Sequence, residues 1–236
     1  MDSEVFVGLL QFADGLLPVG SYAHSWGLES YASAATIRDA VGVERFILAH
    51  LHGSLAPTDV VAMLGARRSG PAEASAALER CLTIDHTLDA MKAASETRDA
   101  SRQMGRQVLR IAANLGQPSS SNACVAELFR MVENAETPGH HAVAFGSVGA
   151  AFGWIESEMA CAYLYSSCAG LVAAALRLLP LGQLAGQRIL WNLRPAIAQL
   201  AEEALSKEMA DVWSFAPGLE IAAMRHATLD ARLFRS

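Results

Sequence analysis

Ser95-Glu96-Thr97-Arg98-Asp99-Ala100-Ser101-Arg102-Gln103-Met104-Gly105-Arg106-Gln107-Val108-Leu109-Arg110-Ile111-Ala112-Ala113-Asn114-Leu115-Gly116 decides the fold class. Met104, Val108, Ile111, Ala112 and Leu115 recur at helical spacing and make one apolar stripe. Ser95 is a helix-capping residue, and Gly116 suits the left-handed position just past a helix end. Arg98, Arg102, Arg106 and Arg110 stand four apart on another side, and like charges at that spacing repel by about a few tenths of a kcal/mol per pair. Glu96 and Asp99 relieve only the first turn, so the row reads as a solvated basic face or as a surface for an acidic partner.

The helical pattern continues in both directions. Thr36-x-x-Asp39 resembles a capping box opening a helix to about Ser54, with Val43, Phe46, Ile47 and Leu51 on one face. Asp59–Ala66 and Pro71–Ala94 read as further helices, split at Ser69-Gly70-Pro71. After a loop at Gln117–Asn122, helices are expected at about Cys124–Asn134, His140–Trp154 and Ser157–Leu179. Gly146, Gly149 and Gly153 lie on one strip that would admit a close helix neighbour. Leu190–Leu205 is amphipathic and expected to restart at Pro195, and Pro217 can open a last helix. With no alternating strand pattern, internal repeat or linker, the expectation is an all-α, single-domain bundle of about ten helices spanning 1–236.

Composition narrows the function classes. Roughly one residue in five is alanine, which favours helix over strand. The chain is 52% hydrophobic and 18% charged, with mean hydropathy +0.24. The longest uncharged run, Met159–Leu176, approaches membrane-span length but is diluted by Tyr163, Tyr165, Ser166, Ser167 and Gly170. It reads as the central helix of a soluble bundle, bounded by Glu158 and Arg177; no membrane contact is expected, and the excess apolarity points to a protein–protein interface. A net charge of −6 argues against nucleic acid. Lys92 and Lys207 are the only lysines, so positive charge is carried by arginine, suited to forked contacts with carboxylates.

Chemistry-bearing signatures are missing. There is no phosphate loop, no GxSxG elbow, no HExxH and no GxGxxG following a strand. Cys81, Cys124, Cys161 and Cys168 lack metal-ligand spacing and read as small buried residues in a reducing cytosol. His50 and His52 cannot face each other on a helix, and His140-His141 could touch a metal or cap a helix. No catalytic residue, cofactor or resident metal is expected.

Three motifs remain. Leu9–Glu29 holds Asp14, Gly15, Pro18, Gly20, Ser21, Tyr22, His24, Ser25, Gly27 and Glu29, a composition for a fixed loop held by side-chain-to-backbone bonds. Pro180–Arg188 reads as a turn between helices. The end of the chain, 225–236, carries Arg225, His226, Arg232, Leu233, Phe234 and Arg235, too much chemistry for a frayed terminus, and reads as a docking tail.

Taken together these residues resemble the UreF family of urease accessory proteins. The loop resembles its L-L-Q-x-x-D-x-x-x-P-x-G-[SG]-[FY]-x-H-S-x-G-[LM]-E signature; Arg98, Ser101 and Met104-Gly105-Arg106 are similar to its R-x-x-S-x-x-M-G-R element. His140–Gly153 resembles its H-x-x-x-x-G helix, and Pro180-Leu181-Gly182-Gln183 with Gly186-Gln187 matches P-L-x-Q-x-x-G-Q. His226 with Arg232-Leu233-Phe234-Arg235-Ser236 resembles the tail, with Ala227 where the family usually has Glu and Asp230 where it commonly has Tyr. The resemblance implies a dimeric, cytoplasmic, non-catalytic scaffold between UreD/UreH and the GTPase UreG, delivering Ni²⁺ to apo-urease. It places Tyr22 and Arg232 at the surface that recruits the GTPase, and has the tail order on UreD/UreH. Two other readings are a direct regulator of GTP hydrolysis through Arg232 or Arg235, and an α-helical acid–base enzyme using His24, Glu29 and His226.

Overall fold

A chain rich in alanine and leucine and poor in β-branched residues packs as helices. The computed structural model describes residues 2–69, 74–115 and 120–235, and among these there are ten α-helices and no strand. They are α1 (Ser3–Ala13), α2 (Leu28–Ser33), α3 (Ala40–Ser69), α4 (Ala74–Met91), α5 (Ser95–Leu115), α6 (Ser120–Glu133), α7 (His141–Phe152), α8 (Glu156–Leu178), α9 (Gln183–Leu205) and α10 (Pro217–His226).

Helix α7 is the axis of one half of the bundle. Its sequence is apolar all round, and Ala142 to Gly149 are all buried. The C-terminal part of α3, with α4, α5 and α6, encloses it. Close approach is set by glycine: a Cβ at Gly146 would collide with the Met63 carbonyl oxygen of α3, and one at Gly105 of α5 with the Gly139 carbonyl oxygen. Of the expected glycine strip, Gly146 meets backbone and Gly149 meets the Met159 side chain, whereas Gly153 is the left-handed C-cap (φ 74°). In the other half, α8 packs along α9 and against α1 and α2, and α3 runs through both halves. A contiguous apolar core extends from Leu9 to Phe234.

The gap expected between Ser54 and Asp59 and the restart expected at Pro195 do not occur. Helix α3 is unbroken, with its middle, Leu51–Val60, wound as a wider π-helix around Pro57. The Gly53 carbonyl, four residues before Pro57, accepts the Phe215 N–H at 2.8 Å. The Pro57 carbonyl accepts the Trp213 N–H at 3.3 Å, and Thr58 Oγ1 donates to the Trp213 carbonyl at 2.6 Å. In α9, Pro195 leaves the Trp191 carbonyl without its helical donor; Arg194 Nε donates to it at 3.1 Å while its guanidinium lies over the Trp191 ring. A donor from outside the backbone ladder, a distant N–H in α3 and a neighbouring side chain in α9, replaces each lost bond, and the helix continues.

Other boundaries shift for similar reasons. Asp39, not Thr36, caps α3, accepting from Gly42 N at 2.8 Å. Ser95 lies inside α5, with Thr97 Oγ1 bonded back to the Ala94 carbonyl. Gln183–Arg188, expected as turn, is the start of α9, and Ser120–Asn122, expected as loop, already belong to α6. The proposed cap Gly116, the rest of that loop, and Gly70-Pro71 lie outside the described residues. Pro217 opens α10 as expected.

Two helices, Ala40–Ser69 and Glu156–Leu178, are long and apolar enough to cross a membrane by length and composition, and half or more of each apolar window is buried inside the fold. The cysteines are free thiols; Cys81 and Cys168 are buried, while Cys124 and Cys161 are half-buried. Burial pushes the Cys168 thiol up to about 12.

Candidate functional site

The loop between α1 and α2 is shaped by local chemistry. Pro18 and the glycines end α1, and Asp14 Oδ1 accepts the Leu16 N–H at 2.7 Å to start the turn. Gly20 and Gly27 sit at φ 87° and 86°, where a side chain would strain the backbone. Gly27 also faces the backbone of α10 at Ala223. Ser30 Oγ ties α2 to α10 through the Ala222 carbonyl at 2.7 Å.

Across this loop lies the C-terminal segment. Arg225 and His226 form the last turn of α10, so the tail proper begins at Ala227 rather than Arg225. Buried Glu29 is its anchor: Oε1 accepts the Leu233 N–H at 2.6 Å, and Oε2 accepts the Phe234 N–H at 3.1 Å and faces His226 Nε2 at 2.7 Å. His226 Nδ1 faces Glu96 Oε2 of α5 at 2.7 Å, and Glu96 Oε1 accepts from Arg232 at 3.0 Å. Two carboxylates thus bracket a fully buried imidazole, and both ring nitrogens donate when the ring carries its second proton. Burial alone would raise the Glu29 carboxyl, but the N–H groups of Leu233 and Phe234 and the His226 ring hold it below the usual range.

The tail closes back on the loop. Arg235 N–H donates to the Ala23 carbonyl at 2.8 Å, and Phe234 is buried. Arg177, at the end of α8, donates to the Tyr22 carbonyl at 2.9 Å, and its guanidinium carbon lies 4.2 Å from the centroids of both the Tyr22 and Phe234 rings. Loop, tail, α5 and α8 therefore meet in one cluster. Tyr22 (65% exposed), Arg225, Arg232, Leu233 and Arg235 face outward; His24, Glu29, His226 and Phe234 are inside. His24 is pushed down to about 4 by burial and by the Arg235 charge.

Two members of this cluster escape a sequence reading. Glu96 reads there only as relief for the arginine row, and Arg177 only as the charge ending an apolar run; neither position carries a local pattern naming its distant partner. The row itself is mostly satisfied within the fold. Arg98 donates to the Lys92 carbonyl at 2.9 Å, Arg102 binds Asp89, and Arg106 binds Glu133, which leaves Arg110 as its exposed end.

A second polar cluster lies at the start of α7. Asp85 of α4 accepts from Thr137 Oγ1, Gly139 N and His140 N at 2.6, 2.6 and 2.8 Å. His140 Nδ1 meets Ser101 Oγ at 3.1 Å, and Nε2 meets Asp89 Oδ1 at 3.0 Å. Burial lowers the His140 pKa, so the neutral ring accepts from Ser101 and donates to Asp89. Nearby, a cavity of about 80 Å³ is lined by His50, Asp59, Lys92, His141 and Tyr163. Lys92 Nζ sits 3.0 Å from both Asp59 oxygens, and burial lowers His50 and His141 to about 4. Among the described residues no group of three or more His, Cys, Asp or Glu side chains is placed to hold a metal ion.

The UreF family model matches residues 37–194. The chain belongs to the UreF family. It is 31% identical to the urease accessory protein UreF of Corynebacterium glutamicum (strain R) over 100% of both chains, and 32% identical to that of Paenarthrobacter aurescens (strain TC1), again over 100% of each. To the Bacillus sp. (strain TB-90) protein of the same name it is 30% identical over 98% of both. As a UreF-family member it is a urease accessory protein with a role in urease maturation, and the family's name describes an accessory protein rather than an enzyme. The family model ends at residue 194, so the tail lies beyond it, whereas the full-length alignments to the Corynebacterium and Paenarthrobacter proteins include it.

Proposed function

We propose that this protein is a non-catalytic scaffold of urease maturation, joining UreD/UreH to the GTPase UreG so that nickel, the cargo, enters apo-urease. In this reading it works as a cytoplasmic homodimer, with the whole chain as one domain and the tail as its docking element. One observation carries the reading: buried Glu29 fastens Leu233 and Phe234 onto the Tyr22 loop, so that Tyr22, Arg232, Leu233 and Arg235 form a single outward surface. Inside it, His24, Glu29, His226 and Phe234 seat the tail, while the exposed residues do the touching.

Co-expression with UreD/UreH and UreG, followed by size-exclusion chromatography with light scattering, tests this directly. A complex with about two copies of each chain is expected. Deleting Arg232–Ser236 should leave a folded protein that no longer assembles; normal assembly by the truncated chain would count against the scaffold reading.

A regulator of GTP hydrolysis is the second reading, favoured by one feature: Arg235 is exposed, whereas Arg232 is already tied to Glu96. GTP turnover by UreG with wild-type scaffold, then with Arg235→Ala, separates the two, and an unchanged rate removes the regulator. The acid–base reading of His24, Glu29 and His226 finds little support. Glu29 accepts the Leu233 and Phe234 N–H groups and faces His226, and its pKa is held down, the opposite of what a general acid or a base poised near neutrality requires.

A further inference from the structure

The cavity near the start of α7 is roofed by the segment between α9 and α10. His50, Asp59, Lys92, His141 and Tyr163 line its walls, and Ser214 and Ala216 close it from the outer side. Its volume of about 80 Å³ is room for several waters, and the buried Nδ1 of His50 has no hydrogen-bond partner among the described residues.

The roof is held by backbone bonds rather than by packing. Residues 211–218 are all exposed or half-buried, with Trp213 51% and Phe215 76% exposed, so apolar burial contributes little. Three hydrogen bonds fasten the roof to the middle of α3: Phe215 N–H to the Gly53 carbonyl, Trp213 N–H to the Pro57 carbonyl, and Thr58 Oγ1 to the Trp213 carbonyl. The first exists because Pro57 has no N–H to offer the carbonyl four residues before it. Gly53 permits the approach, since a Cβ there would lie 2.9 Å from the Phe215 carbonyl oxygen. When the segment lifts, water can take over each of these bonds, while the helices around the cavity keep their apolar contacts.

We infer that residues 212–216 are a latched door: they lift from α3 while the rest of the fold stays intact, and admit water and small polar solutes to His50 and His141. Pro57 is the latch, because it reserves a helix carbonyl for the door. Opening breaks a few solvent-facing hydrogen bonds, whereas entry between α3 and α7 would part tightly packed helices. The inference does not depend on the docking reading.

The test compares the full-length chain as wild type, Thr58→Val and Pro57→Ala. Diethyl pyrocarbonate at neutral pH modifies accessible neutral imidazoles. His50 and His141, lowered to about 4, are then neutral, and the exposed His52 and His86 serve as internal controls. Mass spectrometry locates the modification, alongside hydrogen exchange at the Trp213 and Phe215 amides and at core amides of α8 such as Leu164. In wild type, His50 and His141 are expected to react faster than global unfolding, read from the core amides, allows. In Thr58→Val the Trp213 carbonyl loses its donor; in Pro57→Ala the new N–H gives the Gly53 carbonyl a partner inside the helix. Both variants should speed roof exchange and modification of His50 and His141 by about five- to tenfold, with core exchange no faster and His52 and His86 unchanged. Modification that keeps pace only with global unfolding in every chain overturns the inference. Faster roof exchange without faster modification also overturns it, because the roof then moves without opening the cavity. If Pro57→Ala fails to fold, Thr58→Val, which keeps the side chain's shape, decides alone.

Discussion

The two buried histidine clusters use the same chemistry for different ends. At the start of α7, Asp85 gathers three donors from the 137–140 segment, and His140 bridges Ser101 and Asp89. At the tail, Glu29 gathers two backbone donors and His226, which bridges on to Glu96. The first cluster is enclosed by α4, α5 and α7, so its bonds are bonds of the core. The second fastens a nine-residue segment, 227–235, with solvent on its outer side. A carboxylate that collects backbone N–H groups stabilises whatever carries them: a helix start in one place, the 227–235 segment in the other.

Acid should weaken both regions, and this is the largest effect expected. His50 and His141 are lowered to about 4 from 6.5, so the unfolded chain takes up protons first as pH falls. Global stability is fully present above about 6.5 and declines down to about 4, by at most about 1.4 kcal/mol per pH unit per histidine. Glu29 is lowered as well and acts in a lower window: its contribution is present above the unfolded value near 4.5 and is lost as pH falls through its lower folded value. His24, seated under the tail, is also lowered to about 4, so between pH 6.5 and 4.5 chemical denaturation should show falling stability and tail amides should lose protection with it. Full tail protection down to pH 4.5 would overturn this expectation.

Asp85→Ala comes next. Three buried donors lose their acceptor, which costs roughly 3 kcal/mol or more and lowers Tm by about 6–12 °C. Calorimetric unfolding checks this; a Tm within 2 °C of wild type, about what less than 1 kcal/mol would give, places the cluster outside the core energetics. Glu29→Gln keeps the shape but not the charge, and is expected to cost about 1–2 kcal/mol, read as faster exchange at Leu233 and Phe234 with a small change in Tm. A fall in Tm matching that of Asp85→Ala would make the tail part of the cooperative core. The smallest effect is Arg232→Ala: its half-exposed pair with Glu96 is worth within about 0.5 kcal/mol for folding, so denaturant midpoints should hardly move even where assembly with UreG fails.

Helix content, the membership of α5 and α8, and the density of polar chemistry in the loop and tail were legible from periodicity and from residue types clustered within one stretch. Local signals mislead where a distant donor repairs a local defect. Pro57 and Pro195 look like breaks because the N–H each lacks is visible in the chain, whereas Phe215 N–H lies far along it and Arg194 acts by a rotamer. The arginine row looks free for the same reason, since Asp89 and Glu133 come from other helices.

By itself the sequence determined the all-α class and the family, and it singled out the loop and the tail as dense in polar chemistry, because helical spacing and motif order are properties of the chain read in one dimension. Only the tertiary structure decided that those two segments are a single object. Glu29 and Leu233, 204 positions apart, meet through α2 and α10, and Glu96 and Arg177 enter from helices that bear no mark of the loop or tail. Burial then sorts the motif residues: a carboxylate that must satisfy two backbone N–H groups turns inward, leaving Tyr22 and Arg235 to face the solvent.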